Sequence, residues 1–243
     1  MMNNLYEKSK LRFALTWIIG YVVGASCTDE LSRLVNIEKS ITLIFLFIMS
    51  AVAIIWMKRN GLFCEFGLCK ANIKASKLLY YVPLIIIVSC NLWFGVTLNL
   101  KPLATVFYIL SMLLVGFLEE IIFRGFLFKG MAENNLKSAI IVSSVTFGIG
   151  HFVNLINGSG AELIPNICQV VSAVAIGFLF VVLLYKTKSL WACIIAHGVL
   201  NSLSVFAAEI SNTQQIVVSA VISVIAVVYG LFILKIQNKE KLL

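Results

Sequence analysis

The sequence predicts an all-α protein, a polytopic membrane helical bundle of about eight transmembrane helices. Three observations lead to this fold class: the composition, the recurrence of long apolar segments, and the one-sided distribution of the basic residues. Of the 243 residues, 60% are hydrophobic and 12% are charged, whereas a soluble domain is about half apolar and about a quarter charged. The chain therefore belongs in a lipid bilayer, and we expect residues 1–243 to form a single integral membrane domain.

Long apolar segments recur along the whole chain. A helix needs about 20 apolar residues to cross a bilayer core of roughly 30 Å, and eight segments approach that length. The first is also compatible with a signal peptide, because Lys8, Lys10 and Arg12 precede its apolar run; we expect a retained helix. The predicted spans are residues 11–25, 40–57, 78–98, 103–127, 138–156, 165–185, 190–208 and 216–236.

The basic residues test the span count independently, because short cytoplasmic loops carry an excess of Lys and Arg. With eight spans and a cytoplasmic N-terminus, all but three of the 19 bases fall in cytoplasmic segments. Both termini are therefore predicted to be cytoplasmic, and the short loops favour a bacterial cytoplasmic membrane. The three exceptions are Arg33, Lys39 and Lys101, and the cytoplasmic bases include Lys58, Arg59, Lys70, Lys74, Lys77, Lys235, Lys239 and Lys241.

The net charge of +8 has the same origin. Because the bases are spread over cytoplasmic loops, the charge is a topology signal that also favours binding to anionic membrane lipids. We expect no nucleic-acid partner.

The six cysteines contain no CxxC pair, and three of them fall inside predicted spans. They are interpreted as small apolar packing residues. Cys64 and Cys69 lie on a predicted cytoplasmic loop, where thiols stay reduced, so no disulfide is expected between them.

Ionisable side chains inside the apolar spans indicate a functional site. Of the 11 acidic residues only Glu119 and Glu120 lie within a span, and so do both histidines, His151 and His197. Ionisable groups at membrane depth are costly and mark functional sites. A single histidine is more typical of an interhelical hydrogen bond, but four such groups on three helices indicate a shared site.

Helical spacing places the two adjacent carboxylates on different faces. Glu120 and Arg124 are four residues apart in the favourable acid-before-base order, which predicts an ion pair. Glu119 points about 100° away from Glu120. It is therefore predicted to face a cavity instead of the arginine.

Two further pairs share a face through the same spacing. Phe147 precedes His151 by four residues, and His197 precedes Asn201 by four. Phe147 is expected to be a packing aromatic that shapes the cavity. Three asparagines near the outer boundary are expected to be polar loop or helix-end residues: Asn154, Asn157 and Asn166.

These residues form three motifs that resemble those of the CAAX-protease and bacteriocin-processing (CPBP) family of intramembrane proteases. The family includes the endopeptidase that trims prenylated CAAX proteins. The resemblance covers the helices of residues 103–208, the predicted catalytic helices, and all three motifs occur in the family's order. They are EEIIFR at residues 119–124, FGIGH at 147–151 and HGVLN at 197–201.

The resemblance implies an endopeptidase in which Glu119 activates a water molecule with the help of His151, while His197 and Asn201 stabilise the oxyanion. A carboxylate can act in this way as a general base, and preorganised donors stabilise a tetrahedral intermediate. The implied substrate is a peptide or a lipid-modified protein: a bacteriocin leader or signalling peptide in bacteria, a prenylated C-terminus in eukaryotes. The supporting residues are Glu120, Arg124 and Phe147.

A metal-dependent mechanism is the alternative within the class of intramembrane peptidases. One carboxylate and two histidines can hold zinc with a fourth position open for water, and Glu119, His151 and His197 would then be the ligands. The HExxH helix of common zinc peptidases is absent from the sequence. We therefore favour catalysis by Glu119 without a cofactor.

Two other classes of function use similar residues. A proton-coupled transporter also places Glu, His and Arg at mid-membrane, but it typically shows internal repeats with broken helices, and none are visible. A non-catalytic immunity or scaffold protein of the membrane is expected to lose motif residues, and all of them are present here.

Overall fold

The protein is a bundle of membrane-length helices. The computed structural model describes residues 2–71 and 79–240, with only the backbone described for residues 237–240. Six helical segments in this described part are long and apolar enough to cross a membrane. Their outward faces carry large apolar side chains that are more than half exposed, among them Ile19, Phe47 and Ile141, as contact with lipid allows. The predicted all-α polytopic membrane bundle is confirmed.

The α-helices are numbered in chain order. Irregular helical turns extend several of them: a π-helix over Glu120–Phe128 joins α5 to α6, and 3₁₀ turns over Cys90–Leu92, His151–Leu155 and Ser204–Phe206 follow α4, α7 and α9. The α-helices are α1 (Met2–Lys8), α2 (Lys10–Leu34), α3 (Ser40–Arg59), α4 (Val82–Ser89), α5 (Pro102–Glu119), α6 (Lys129–Ala132), α7 (Leu136–Gly150), α8 (Leu163–Thr187), α9 (Trp191–Leu203) and α10 (Asn212–Glu240).

Two of the eight predicted spans are shorter than expected. The apolar helical segments Leu79–Leu92 and Trp191–Phe206 extend about 21 and 24 Å, less than the roughly 30 Å of the bilayer core. Both helices end at the same level, where the segments that follow them pair through an antiparallel bridge between Val96 and Ala207. Gly95 has left the helical conformation, with φ of +119°. Among the described residues, six helices are therefore long enough to cross a membrane and two apolar helices are shorter, where the sequence predicted about eight spans.

The predicted cytoplasmic loop at residues 58–77 is described in part. Lys74 and Lys77 lie outside the described residues, as do Leu78 at the start of the third predicted span, Lys241, and the side chain of Lys239.

A disulfide joins Cys64 and Cys69, so the expectation of two free thiols is wrong. The chain folds back between them, because Gly67 N donates to Cys64 O at 3.2 Å and Leu68 N to Phe63 O at 2.8 Å. This turn leaves the two Cα atoms 5.0 Å apart, within the range that a disulfide spans.

An aromatic cluster fills one end of the bundle. It consists of Phe13 of α2, Trp56 of α3, Phe66 of the following loop and Phe126 of the π-helix, and all four are buried. Ring centroids lie 4.7 Å apart for Phe13 and Trp56 and 5.0 Å apart for Phe66 and Phe126. Packed rings of this size exclude water and bury a large apolar area. The cluster therefore packs α2, α3 and the π-helix together at the end at which α2 begins and α3 ends.

Glycines set the approach of α5 to α9. A Cβ on Gly116 would lie 2.5 Å from the amide nitrogen of Gly198 and 2.7 Å from its Cα. Small residues at such a contact let two membrane helices pack with their backbones close together. This contact fixes the position of His197, the residue before Gly198, along the bundle axis. It does so relative to Glu119 at the end of α5 and Glu120 at the start of the π-helix.

Replacing Gly116 with alanine should destabilise the bundle by about 1–3 kcal/mol, because backbone atoms of α9 cannot move aside as a side chain could. Thermal unfolding in detergent measures the effect as a lower melting temperature. Gly20→Ala is the matched control, since it makes the same change in a helix where no atom lies within 4 Å of the added methyl. Equal melting temperatures for wild type and Gly116→Ala would contradict the close approach.

Candidate active site

The two adjacent glutamates lie where the α-helix changes its hydrogen-bonding pattern. Helix α5 ends at Glu119, and the π-helix begins at Glu120. A π-helix pairs residues five apart instead of four, and such turns occur frequently at functional sites. Every residue from Glu120 to Phe128 is buried, so the side chains of this turn make their contacts inside the bundle.

Glu120 is held by two partners and has no exposed surface. Arg124 Nη1 lies 3.1 Å from Glu120 Oε1, with both side chains fully buried, so the predicted ion pair is present. His197 Nδ1 lies 2.9 Å from the same oxygen. Glu120 therefore links the π-helix to α9 and has neither oxygen on the cavity surface.

Aromatic rings enclose the guanidinium of Arg124. Its central carbon lies 4.0 Å above the ring of Phe147 and 5.6 Å from the ring of Phe180. A cation over an aromatic face is attracted by the ring quadrupole. Gly177 of α8 supplies the remaining space, because a Cβ there would lie 3.0 Å from Arg124 Nη2. Phe147 thus shapes the site, as its spacing predicted, by covering the arginine.

Glu119 faces the other way, into a cavity. Tyr21 Oη donates a hydrogen bond to Glu119 Oε1 at 2.7 Å, and His197 Nε2 lies 3.4 Å from Glu119 Oε2. The two carboxylates are therefore separated as the helical geometry predicted, with Glu120 toward Arg124 and Glu119 toward open space.

His197 stands between the two carboxylates, which sequence reasoning did not anticipate. Its Nδ1 faces Glu120 and its Nε2 faces Glu119. The contact of Nδ1 with Glu120 fixes the ring orientation and leaves Nε2 on the side of Glu119. The expected partner of Glu119 was His151, but the imidazole in contact with it is His197.

His151 and Asn201 lie on other walls of the same cavity. His151 Nδ1 lies 3.0 Å from Phe147 O. The ring of Phe147 contacts both imidazoles edge to face, with its centroid 5.1 Å from that of His151 and 5.6 Å from that of His197. The amide of Asn201 forms no hydrogen bond with any described residue. It is therefore available to a ligand.

The cavity has a volume of about 600 Å³, which is within the usual size of sites for small ligands and peptide segments. All four residues predicted to be catalytic border it: Glu119, His151, His197 and Asn201. Glu120 and Arg124 lie behind its wall and hold His197 in place.

Two contributors to the site were missed from the sequence. Tyr21 bonds Glu119 from α2, and its only signal was a hydroxyl in the middle of an apolar span. Asn166 lies in the first turn of α8, as expected of a helix-end residue, but its burial was not anticipated: it is 1% exposed and donates to His151 O at 2.9 Å. Its burial depends on how α8 packs against α7, which no local pattern reveals.

The described residues contain no group of three or more His, Cys, Asp or Glu side chains arranged to hold a metal ion. Glu119 and His197 form a pair of possible ligands. His151 borders the same cavity with Nδ1 engaged by a backbone carbonyl, which leaves Nε2 as its free nitrogen.

Comparison with known proteins gives two matches. Residues 101–203 match the model of the family described as type II CAAX prenyl endopeptidase Rce1-like. The chain is also 34% identical over 95 residues to a protein of Bacillus subtilis (strain 168) named "Putative membrane peptidase YdiL", a match that covers 39% of this chain and 34% of that protein. No solved structure matches the chain. The matched segment contains all three motifs, and the resemblance predicted from them is confirmed: residues 101–203 are similar to the Rce1-like CAAX prenyl endopeptidase family. The chain spans about a third of the length of the curated relative it matches.

Proposed function

We propose that this protein is an intramembrane endopeptidase that hydrolyses a peptide bond in a membrane-associated peptide or lipid-modified protein. The observation that carries the proposal is the separation of the two glutamates: Glu119 borders the cavity, whereas Glu120 is held behind it by Arg124. An enzyme of this kind needs one carboxylate free to exchange a proton and a rigid frame around it.

In the proposed reaction, Glu119 takes one proton from a water molecule, and the hydroxide that results attacks the scissile carbonyl carbon. Asn201 and His197, one turn apart on α9, donate to the oxyanion as it forms. When the C–N bond breaks, the proton held by Glu119 passes to the leaving amine. The products are a carboxylic acid and an amine, the acid then gives its proton to the amine to leave a carboxylate and an ammonium group, and Glu119 returns to its initial state.

His151 and Tyr21 position the water in this scheme. Tyr21 fixes Oε1 of Glu119 by its hydrogen bond, and His197 Nε2 lies 3.4 Å from Oε2, so the carboxylate is held at the border of the cavity. His151 packs against the ring of Phe147. Because its Nδ1 is engaged by Phe147 O, its Nε2 is the nitrogen that can contact water or substrate.

The two glutamates should respond differently to the same substitution. Glu119→Gln keeps size and hydrogen bonding but cannot take a proton, so cleavage should be almost abolished while the melting temperature stays near that of wild type. Glu120→Gln leaves the buried charge of Arg124 without its counter-ion, and breaking such a pair costs about 3–5 kcal/mol. Its melting temperature and yield should therefore fall together with activity.

The measurement is cleavage of a membrane peptide per folded molecule, beside thermal unfolding in detergent, for both variants prepared in parallel. If Glu119→Gln retained substantial cleavage while Glu120→Gln were fully folded and inactive, the assigned roles would be reversed: Glu120 would be the base and Glu119 the supporting residue. If both variants cleaved normally, the peptidase proposal would fail.

Catalysis by Glu119 is proposed to need no bound ion. Purified protein with measurable peptidase activity should therefore keep that activity after strong chelation and dialysis. Loss of activity on chelation, with recovery on addition of zinc, would instead assign ligand roles to Glu119, His151 and His197. The control for non-specific effects of the chelator is a chelated sample to which magnesium is added back in place of zinc.

A further inference from the structure

A disulfide closes a short loop that follows α3. Cys64 and Cys69 are its ends, with Cα atoms 5.0 Å apart, and we call residues 64–69 the disulfide loop. Its backbone turns through the left-handed conformation of Gly67, whose φ is +82°. This turn directs Phe66 and Gly67 toward the bundle, where both are buried. Cys64 is exposed and Cys69 is half-buried, so the loop faces the helices with its middle and leaves its cysteines at the surface.

Phe66 packs on the π-helix of the candidate active site. Its ring centroid lies 5.0 Å from that of Phe126, and a Cβ on Gly125 would lie 3.5 Å from the Cβ of Phe66. These two π-helix residues directly follow Arg124, whose guanidinium pairs with Glu120. One side chain of the disulfide loop thus supports the backbone that carries the buried ion pair.

Gly67 contacts the start of α9. Its carbonyl oxygen accepts a hydrogen bond from Leu190 N at 2.8 Å, and Leu190 is the N-cap residue of that helix. The first amides of a helix have no partner within it, so the loop supplies one from outside. A Cβ on Gly67 would lie 2.7 Å from Leu184 Cδ1, which leaves no room for a side chain at this contact. The disulfide loop is therefore fixed to the helix that carries His197 and Asn201.

The disulfide can be opened by thiol–disulfide exchange at the surface. A thiolate attacks one sulfur atom, forms a mixed disulfide and releases the other sulfur as a thiolate. The second thiol of a dithiol reductant then attacks the mixed disulfide. The products are the thiols of Cys64 and Cys69 and the disulfide of the reductant, so two electrons and two protons pass to the protein. The same steps in reverse close the loop, and the exposure of Cys64 gives a reductant access.

The bases near the loop indicate the redox conditions that it meets. Lys58 and Arg59 end α3, and Lys70 follows the second cysteine; bases of this kind predict a cytoplasmic loop. Thiols are kept reduced in the cytoplasm, and a disulfide that forms there is usually catalytic or redox-sensing. Neither Cys64 nor Cys69 borders the cavity, which favours the redox-sensing role.

We propose that Cys64 and Cys69 form a redox modification site that controls the packing of the π-helix and α9. In the oxidised form the closed loop holds Phe66 on the π-helix and Gly67 on α9. Reduction by a cellular dithiol removes the covalent restraint, and the loop then depends on the hydrogen bonds of a surface turn, each of which contributes little net stability. A loss of peptide cleavage in the reduced form rests on the proposed function, whereas the change in packing does not.

A redox titration of the purified full chain in detergent tests the site. Samples are equilibrated in mixtures of reduced and oxidised dithiothreitol, quenched with acid, unfolded, alkylated and digested with trypsin. Cleavage after Arg59 and Lys70 gives one peptide, residues 60–70, that contains both cysteines, so mass spectrometry measures its redox state. Thermal unfolding and the hydrogen exchange of peptides that contain Leu190 are measured on the same samples before the quench.

Reduction of the wild-type chain should lower its melting temperature by about 4–8 °C, the shift that loss of a short-loop disulfide causes in a chain of this size. Exchange at Leu190 should become faster. The double variant Cys64→Ser, Cys69→Ser should start at the lower melting temperature and should not respond to dithiothreitol. Cys27→Ser is the matched control, since it removes an exposed thiol outside the disulfide, and it should respond as the wild-type chain does.

Three results would overturn the proposal: a dithiol peptide in every mixture, a disulfide that is reduced only when the protein unfolds, or full reduction that leaves the melting temperature and Leu190 exchange unchanged. Cleavage of a membrane peptide by the same samples should fall on reduction, and equal cleavage by both forms would overturn control of the active site. If no sample cleaves, the peptidase proposal fails, while unfolding and exchange still decide whether the disulfide controls packing.

Discussion

The buried charge of Arg124 is the constraint on which the site depends. A guanidinium keeps its charge in proteins, and a charge at membrane depth is costly unless it is paired inside the bundle. Arg124 is fully buried, and the structure provides Glu120 as counter-ion, the ring faces of Phe147 and Phe180, and the space left by Gly177. Three elements of the bundle, the π-helix, α7 and α8, thus meet around one side chain, which makes their arrangement specific as well as stable.

That pairing determines what the other carboxylate can do. Because Glu120 is committed to Arg124 and His197, only Glu119 remains to face the cavity, and His197 is held with one nitrogen toward each glutamate. The close contact of Gly116 with Gly198 sets the height of α9 so that this ring can stand between them. In the proposed reaction, structural and catalytic tasks are therefore divided between two adjacent residues of the same chemical type.

Features that follow a local period could be predicted from the sequence, and features that depend on packing could not. The ion pair of Glu120 with Arg124 follows from residues four apart, and the cavity residues His151, His197 and Asn201 follow from polar groups inside apolar spans. The contact of His197 with both glutamates, the bond from Tyr21 and the burial of Asn166 arise from distant helices. The short helices and the Cys64–Cys69 disulfide likewise depend on how the chain folds back.

The most direct test of whether Glu119 drives peptide-bond hydrolysis is a comparison of membrane peptides. They are taken from cells that express either the wild-type chain or Glu119→Gln at matched levels. Mass spectrometry of isolated membranes identifies the peptides and their termini. The account predicts fragments with new termini that occur only with the wild-type protein, together with intact precursors that accumulate in the variant. Identical peptide populations in the two membranes, with both proteins folded, would contradict it.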